Sequence, residues 1–376
     1  MRFLPHTEDE IRSMLSTIGV TSIDALFEPI PANVRLTRPL AIEKGTDEAS
    51  LMRHLEELAG KSDAQGMLSF LGAGIYAHHV PPAVDQLLLR GEFMTAYTPY
   101  QAEVAQGTLQ AIFEFQTIVS ELFGLPIANA SLYDGASATA EAVLMARRVS
   151  KRTRALLSTA LHPEYASVVT TYLRGLDEHL DRDEAPRTSL GTIRKRDRPL
   201  STIDRVTLTS DGRTDLARLE AMLSHGEYAC VVVGQPNVLG VVEDVRAIAE
   251  LAHKYGALLV TATAETFALS IVEAGTQCHA KAEYLKQQIA ALPGFSLPYA
   301  GPTFNEFVVR RHAGEVGPML ASLQAKSILA GVDLGKLSDI GVEGGGSGLR
   351  DKFVVAVTER HTRGDLDQLV TALALV

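Results

Sequence analysis

The chain has 376 residues, 46% of them hydrophobic and 21% charged, with a formal net charge of −10 at pH 7. These values exclude a disordered polymer, and with TIRKRDR (Thr192 to Arg198) as the only basic cluster, read as a solvated loop, they give no nucleic-acid stripe. The length suffices for a substantial core in two domains plus an arm. The two cysteines, Cys230 and Cys278, lie far apart and offer neither a disulfide framework nor metal-ligand spacing, so no metal is expected and a reducing cytosol is the natural compartment. No stretch reaches the length of a membrane span, and the first residues lack a signal or transit pattern; a cytoplasmic protein is expected.

From Glu8 to Leu26 the pattern is helical and broken at Gly19, with Thr21 or Ser22 as the cap of a second piece; Pro29, Pro31 and Pro39 then extend the chain. Ala49 to Ala59 reads as another helix. Gly72, Gly74, Pro81 and Pro82 bracket a loop that carries His78 and His79. In Tyr97-Thr98-Pro99-Tyr100-Gln101 the proline fixes its own φ and restricts Thr98, giving a rigid segment able to hold hydroxyls and an amide at set positions. A helix follows, with Leu109, Ile112, Phe113, Val119, Leu122 and Phe123 close to a 3.6-residue stripe and Gly124 and Pro126 at its end. Asn129 to Ala142 reads as a short extended piece, an Asp134-Gly135 turn, and a helix opened by Ser137 or Thr139, where unpaired N–H groups make a potential anion cradle.

Beyond this the chain alternates RALLSTA (strand), HPEYASVVTTYLRGL (helix), YACVVVGQ (strand), VEDVRAIAELAHKYG (helix) and ALLVTA (strand), which implies a parallel sheet covered on both faces. Leu176 to Thr214 interrupts the pattern and reads as an exposed, charge-mixed excursion. The last part gives strand FNEFVVR, helix GPMLASLQAKSIL, strand KFVVAVT and helix LDQLVTALAL, a smaller α+β domain. The division expected is an N-terminal helical arm over 1–65, a large α/β domain over 66–290 and a small domain over 291–376.

Phe70 to Phe93 (FLGAGIYAHHVPPAVDQLLLRGEF) and Glu92 to Ala142 together resemble the glycine dehydrogenase (decarboxylating) family, the P-protein of the glycine cleavage system, and more narrowly its subunit 1. RFLPHTEDEIRSMLSTIGVTSIDALFEPIP at the start, CHAKAEYL, LPGFSLPYAGPTFNEFVVR, ILAGVDLG and VAVTERHT extend the resemblance from end to end. It implies the α/β, fold-type I (aspartate-aminotransferase-like) architecture of pyridoxal-phosphate enzymes. Against the family's pattern the chain passes from a core strand to a C-terminal-domain helix within a few residues. A block of the large domain is therefore missing near 268–277, through a true loss or through the joining of segments that were not adjacent.

The same resemblance implies a complex that decarboxylates glycine, releases carbon dioxide and passes the aminomethyl group to the lipoyl arm of the H-protein. Its pyridoxal phosphate is expected on subunit 2, in a heterotetramer of two copies of each subunit. Such a coenzyme needs a lysine, a carboxylate near its ring nitrogen, a phosphate cradle and a stacking group. Gly135 and Ser137 are the cradle candidates, His162 the stacking candidate and Asn237 an amide candidate, each with a bland reading as turn, cap or core-edge residue. After ALLVTA the sequence offers Thr261 and Thr263 before Glu265, and no lysine follows on a strand; Lys281, Lys286 and Lys326 sit in amphipathic helical contexts as solvated charges. Tyr97, Thr98, Tyr100, Gln101, His78 and His79 are candidates for the subunit interface or for a pocket completed across it, where aromatics are enriched. A self-sufficient pyridoxal-phosphate enzyme, aminotransferase or desulfurase, and an inactive structural subunit are the alternatives.

Overall fold

The computed structural model describes residues 5–36, 38, 40–42, 45–64, 66–94, 97–183, 203–269, 273–337 and 348–376. The chain divides into two units, Met1–Asp63 and Ala64–Val376. In the first, α1 (Glu8–Ile18) starts in a capping box between Thr7 and Glu10 and stops at Gly19, whose φ of 85° is the left-handed cap that glycine tolerates best. The second piece is a single 3-10 turn, Asp24–Phe27, preceded by Ile23 rather than by a side-chain cap, although the Ser22 hydroxyl does accept from the Ala25 N–H at 3.2 Å. α2 (Glu48–Ala59) is capped by Asp47. Neither α1 nor α2 has a buried residue, as expected of a short helical arm that cannot form a core by itself.

The second unit opens with β1 (Leu68–Ser69), α3 (Pro82–Leu88), α4 (Gly91–Met94) and α5 (Gln106–Phe123). α5 ends at left-handed Gly124, as its sequence predicts, yet none of its residues is buried: Phe113, Ile118 and Leu122 are all half or more exposed. α6 (Gly135–Ser150) begins earlier than expected. Its cap is Asp134, and Ser137 is the third helical residue, closing the box from the other side; neither Ser137 nor Thr139 opens the helix.

β2 (Arg154–Ser158), α7 (Pro163–Asp183), β3 (Ile203–Val206), α8 (Leu216–His225), β4 (Tyr228–Gly234), α9 (Val245–Lys254) and β5 (Leu258–Ala262) then build a parallel sheet of order β3-β2-β4-β5. Alternate residues of β2 and β4 serve the two faces. Ala155, Leu157, Cys230 and Val232 pack with α6 and α7, while Leu156, Val231 and Val233 pack with α8 and α9. β4 is buried throughout, whereas β5 is half-exposed along its length, with Thr261 exposed. The excursion expected over 176–214 is corrected at both ends. α7 runs on to Asp183 and β3 pairs with β2 as an edge strand; residues 184–202, including TIRKRDR, lie outside the described residues, as do 270–272 within the segment where the loss of a block is expected.

α10 (Glu273–Ala290), β6 (Phe295–Ser296), β7 (Glu306–Arg311), α11 (Val316–Gln324), β8 (Ile328–Leu329), β9 (Val332–Asp333), β10 (Lys352–Ala356) and α12 (Arg363–Ala374) complete the chain. An antiparallel sheet β6-β7-β10-β9 carries Phe307, Val309, Phe353 and Val355 against Leu285 and Ile289 of α10, Met319 and Leu323 of α11 and Leu366 and Leu369 of α12. Ile328 and Leu329, expected at the end of a helix, instead pair in parallel with Leu68 and Ser69. That contact brings the glycine-rich segment after β1 against the small sheet. The Phe70 carbonyl accepts from the Ala356 N–H at 3.0 Å.

Candidate functional site

A cavity of about 320 Å³ opens where β2, β4 and β5 end, the place at which open α/β sheets bind their ligands. Its walls are the glycine-rich segment (Gly72 to Tyr76), His162 and Tyr165 beyond β2, Gly234 at the end of β4 and Asn237 beyond it, Ala262 at the end of β5 and Ala264 beyond it, and Glu306 at the start of β7. Two of the predicted residues, His162 and Asn237, therefore meet in one cavity. His162 is half-buried, its ring 5.4 Å from that of Tyr165, and burial holds it below the usual histidine range, so it is neutral at physiological pH.

Asn237 has no free amide for a ligand. Its Nδ2 donates to the Gly212 carbonyl and to Glu243 Oε1, both at 2.9 Å, and its Oδ1 accepts from the Leu239 and Val241 N–H groups. The predicted phosphate cradle is likewise taken. Asp134 Oδ1 accepts the Ser137 N–H at 2.7 Å, the Ser137 hydroxyl returns to the Asp134 carbonyl, and the Tyr165 hydroxyl fills the space beside Gly135 where a Cβ would stand. A carboxylate already sits on this helix N-terminus, so a second anion there meets repulsion rather than the helix dipole alone.

At the cavity floor lies an acid that sequence reasoning did not single out, although FNEF was noted as a motif. Glu306 is 3% exposed, and burial pushes its carboxyl up to about 8, partly offset by the Ala73 N–H, which donates to Oε2 at 2.6 Å. The Tyr76 hydroxyl stands 3.3 Å from Oε1, and burial beside Glu306 raises it too. Gly72 leaves room for this carboxyl: a Cβ there would collide with Oε2. Gly240, at φ 77°, lets the Asn237 turn lie directly on the Glu306 carbonyl.

The remaining candidates lie elsewhere. Tyr97, Thr98, Tyr100 and Gln101 are exposed, Tyr97 at 89% and Tyr100 at 81%, in a turn closed by the Tyr100 N–H donating to the Thr98 carbonyl at 2.8 Å; none of them lines the cavity. His78 and His79 belong to a second cluster beside it. His78 Nε2 is 2.9 Å from Glu265 Oε2 and Nδ1 is 2.8 Å from Glu359 Oε2, while the His79 N–H donates to Glu359 Oε1 at 2.6 Å. Lys286, expected as a solvated charge, is instead a half-buried partner of Glu283 and Thr303, and Lys281 Nζ donates to the Glu359 carbonyl.

The topology is that of the fold-type I, aspartate-aminotransferase-like class. The model of the family described as glycine cleavage system P-protein matches residues 1–318. A probable glycine dehydrogenase (decarboxylating) subunit 1 of Sorangium cellulosum is 42% identical over 479 aligned residues, covering 100% of this chain and 99% of the relative. The chain therefore belongs to the glycine cleavage system P-protein family. Because that alignment is longer than the 376 residues of this chain, part of the relative has no counterpart here. A probable glycine dehydrogenase (decarboxylating) subunit 1 of Anaeromyxobacter dehalogenans is 48% identical over 274 residues, which make up 73% of this chain and 56% of that relative; the chain spans just over half its length. Among solved structures, a glycine decarboxylase (P-protein) of the glycine cleavage system in inhibitor-bound form matches with a TM-score of 0.79 and 27% identity over 100% of both chains.

Pyridoxal phosphate, the coenzyme of this fold class, is a poor match for the residues present. No lysine or arginine lines the cavity among the described residues, and the cradle is closed by Asp134 and Tyr165. Glu265, the nearest acid beyond β5, is turned away: Oε1 accepts from the Phe267 N–H at 3.0 Å, and Oε2 is shared by His78 and Asn305. No chemical step is assigned to the coenzyme in this chain.

Proposed function

We propose that this chain is the subunit of a split, cytoplasmic glycine decarboxylase that lacks the coenzyme-binding lysine, acting with a companion subunit that holds pyridoxal phosphate. The complex would decarboxylate glycine and hand the aminomethyl group to lipoylated H-protein. The observation that carries the reading is the cavity itself, which lies at the sheet's C-terminal end and is lined by Glu306 and Tyr76 with no lysine or arginine among the described residues, while the N-terminus of α6 is capped by its own Asp134. Dependence on a companion is supported by α5, on which Phe113, Phe115, Ile118, Leu122 and Phe123 are exposed, and by the exposed pair Tyr97 and Tyr100 just before it. Among the described residues no helix is long and apolar enough to cross a membrane.

The test is carbon dioxide exchange into glycine with a lysine-bearing companion and lipoylated H-protein, run with and without this chain. Exchange is expected to fall at least tenfold when the chain is left out. The chain alone should give no visible coenzyme absorbance and no borohydride-trapped adduct on its lysines. Full exchange without the chain, or an adduct on one of its lysines, would remove the proposal in favour of a structural subunit or a self-sufficient enzyme respectively.

In this arrangement Tyr97, with Thr98, Tyr100, Gln101 and the His78-His79 pair, would complete the interface or the companion's pocket. Tyr97→Phe is expected to lower turnover several-fold while the complex still elutes intact on size exclusion; unchanged turnover takes Tyr97 off the list.

A further inference from the structure

We propose that His78, Cys278 and Glu359 form a binding site for a zinc-class divalent cation, independent of which subunit holds the coenzyme. The three residues come from the glycine-rich segment, from α10 and from the turn after β10. A ring nitrogen of His78, Sγ of Cys278 and a carboxylate oxygen of Glu359 lie within 4.8 Å of one another, and Nδ1 is the nitrogen turned to Glu359. Glu359 Oε2 is the common corner, 2.8 Å from Nδ1 and 3.4 Å from Sγ. Tetrahedral zinc with metal–ligand bonds of about 2.0–2.3 Å sets its donors roughly 3.5 Å apart, so the triad needs only small adjustments to accept an ion.

Three further features hold these atoms as ligands are held. The outer ring nitrogen of His78, Nε2, meets the buried carboxylate of Glu265 at 2.9 Å, and that carboxylate is fixed by Asn305 Nδ2 and the Phe267 N–H. This is the carboxylate–histidine pairing that orients metal-bound imidazoles. The His78 ring is also set edge-on to Phe267 at 4.4 Å. Glu359 is pinned through Oε1 by the His79 N–H, which leaves Oε2 facing the triad. The Cys278 thiol is fully buried, while the side chains of His78 and Glu359 are 22% and 14% exposed, giving an ion a path from solvent.

The donor set selects the ion. A thiolate, an imidazole and one carboxylate match borderline-soft zinc or cobalt, whereas magnesium and calcium require oxygen shells. Three protein ligands leave a fourth position for water. On binding, the Cys278 thiol gives its proton to solvent and the thiolate sulfur donates an electron pair to the ion, with no change of oxidation state. A thiolate and Glu359, with Glu265 behind the imidazole, outweigh the nearby Lys281, whose Nζ donates to the Glu359 carbonyl. No spacing signature could reveal this site, because 200 residues separate His78 from Cys278 and 81 separate Cys278 from Glu359.

The competing arrangement is a metal-free ion pair in which His78 bridges Glu265 and Glu359. Titration of the chelator-treated full chain with Co²⁺ separates the two. One equivalent is expected to bind with a thiolate-to-cobalt absorption band, to be displaced by Zn²⁺, and Zn²⁺ should raise the Tm. Cys278→Ser should abolish the band, Cys230→Ser should leave it unchanged, and Glu265→Gln should weaken binding about tenfold or more. Binding that is not saturable at one equivalent, or a band and Tm shift that survive in Cys278→Ser, would establish the ion pair instead.

Discussion

Between pH 4.5 and pH 8 the wild-type chain is expected to lose about 4–5 kcal/mol more stability than its Glu306→Gln variant. Glu306 is fully enclosed, and burial lifts its carboxyl from the ordinary 4.5 to about 8. A group whose folded pKa lies above its unfolded value binds its proton more tightly when folded. Its contribution is therefore complete below pH 4.5 and is lost as pH rises through 8, because unfolding releases a proton throughout that window. Glutamine keeps the shape and the acceptor for the Ala73 N–H but has no proton to lose, so its slope should lack this component. Glu243, also raised by burial, slopes the same way and is present in both proteins, so the difference isolates Glu306. Urea unfolding at several pH values measures it, and parallel curves for the two proteins would show that folding leaves the Glu306 carboxyl at its ordinary pKa.

Glu243→Ala is expected to destabilise the chain by about 3–5 kcal/mol and to lower Tm by roughly 5 °C or more. The Glu243 carboxylate is 4% exposed and accepts from the Thr214 N–H at 2.9 Å, the Thr214 hydroxyl at 3.0 Å and Asn237 Nδ2 at 2.9 Å. Removing it strands buried donors on two turns at once. The Thr214 hydroxyl can still turn to Ser158 Oγ, 2.9 Å away, but the Thr214 N–H has no such alternative. The Asn237 turn rests on the Glu306 carbonyl through Gly240, so the loss should also loosen the cavity wall. Calorimetry checks the first effect. A Tm within one degree of wild type would show that water replaces the carboxylate at no cost.

Much of this fold could be read from the chain, for identifiable reasons. The strands RALLS, YACVVVG and LLVTA are short apolar runs between amphipathic helices, and Gly19 and Gly124 end their helices by the left-handed conformation that makes glycine a stop signal. β3 stayed hidden because the two middle residues of IDRV, Asp204 and Arg205, are both charged, which breaks any alternation, and because it lies at the end of a charged stretch. The start of α6 was misplaced because Asp134 and Ser137 are both good caps, and only the reciprocal hydrogen bonds show which one serves. Of the cavity walls, His162 and Asn237 were legible because each follows a predicted strand. Glu306 and Glu359 were missed, and Glu265 was named only by its place after β5, because their importance comes from burial and from partners up to 281 residues away, which no local pattern encodes.

The exposed outer side of β5 has a practical consequence. Among the described residues this strand is paired only with β4, so the amides and carbonyls facing away from β4 are available to any extended peptide, a second copy included. Recombinant material made by itself should aggregate with increasing concentration, and simultaneous production with a binding partner is the sensible route to well-behaved samples.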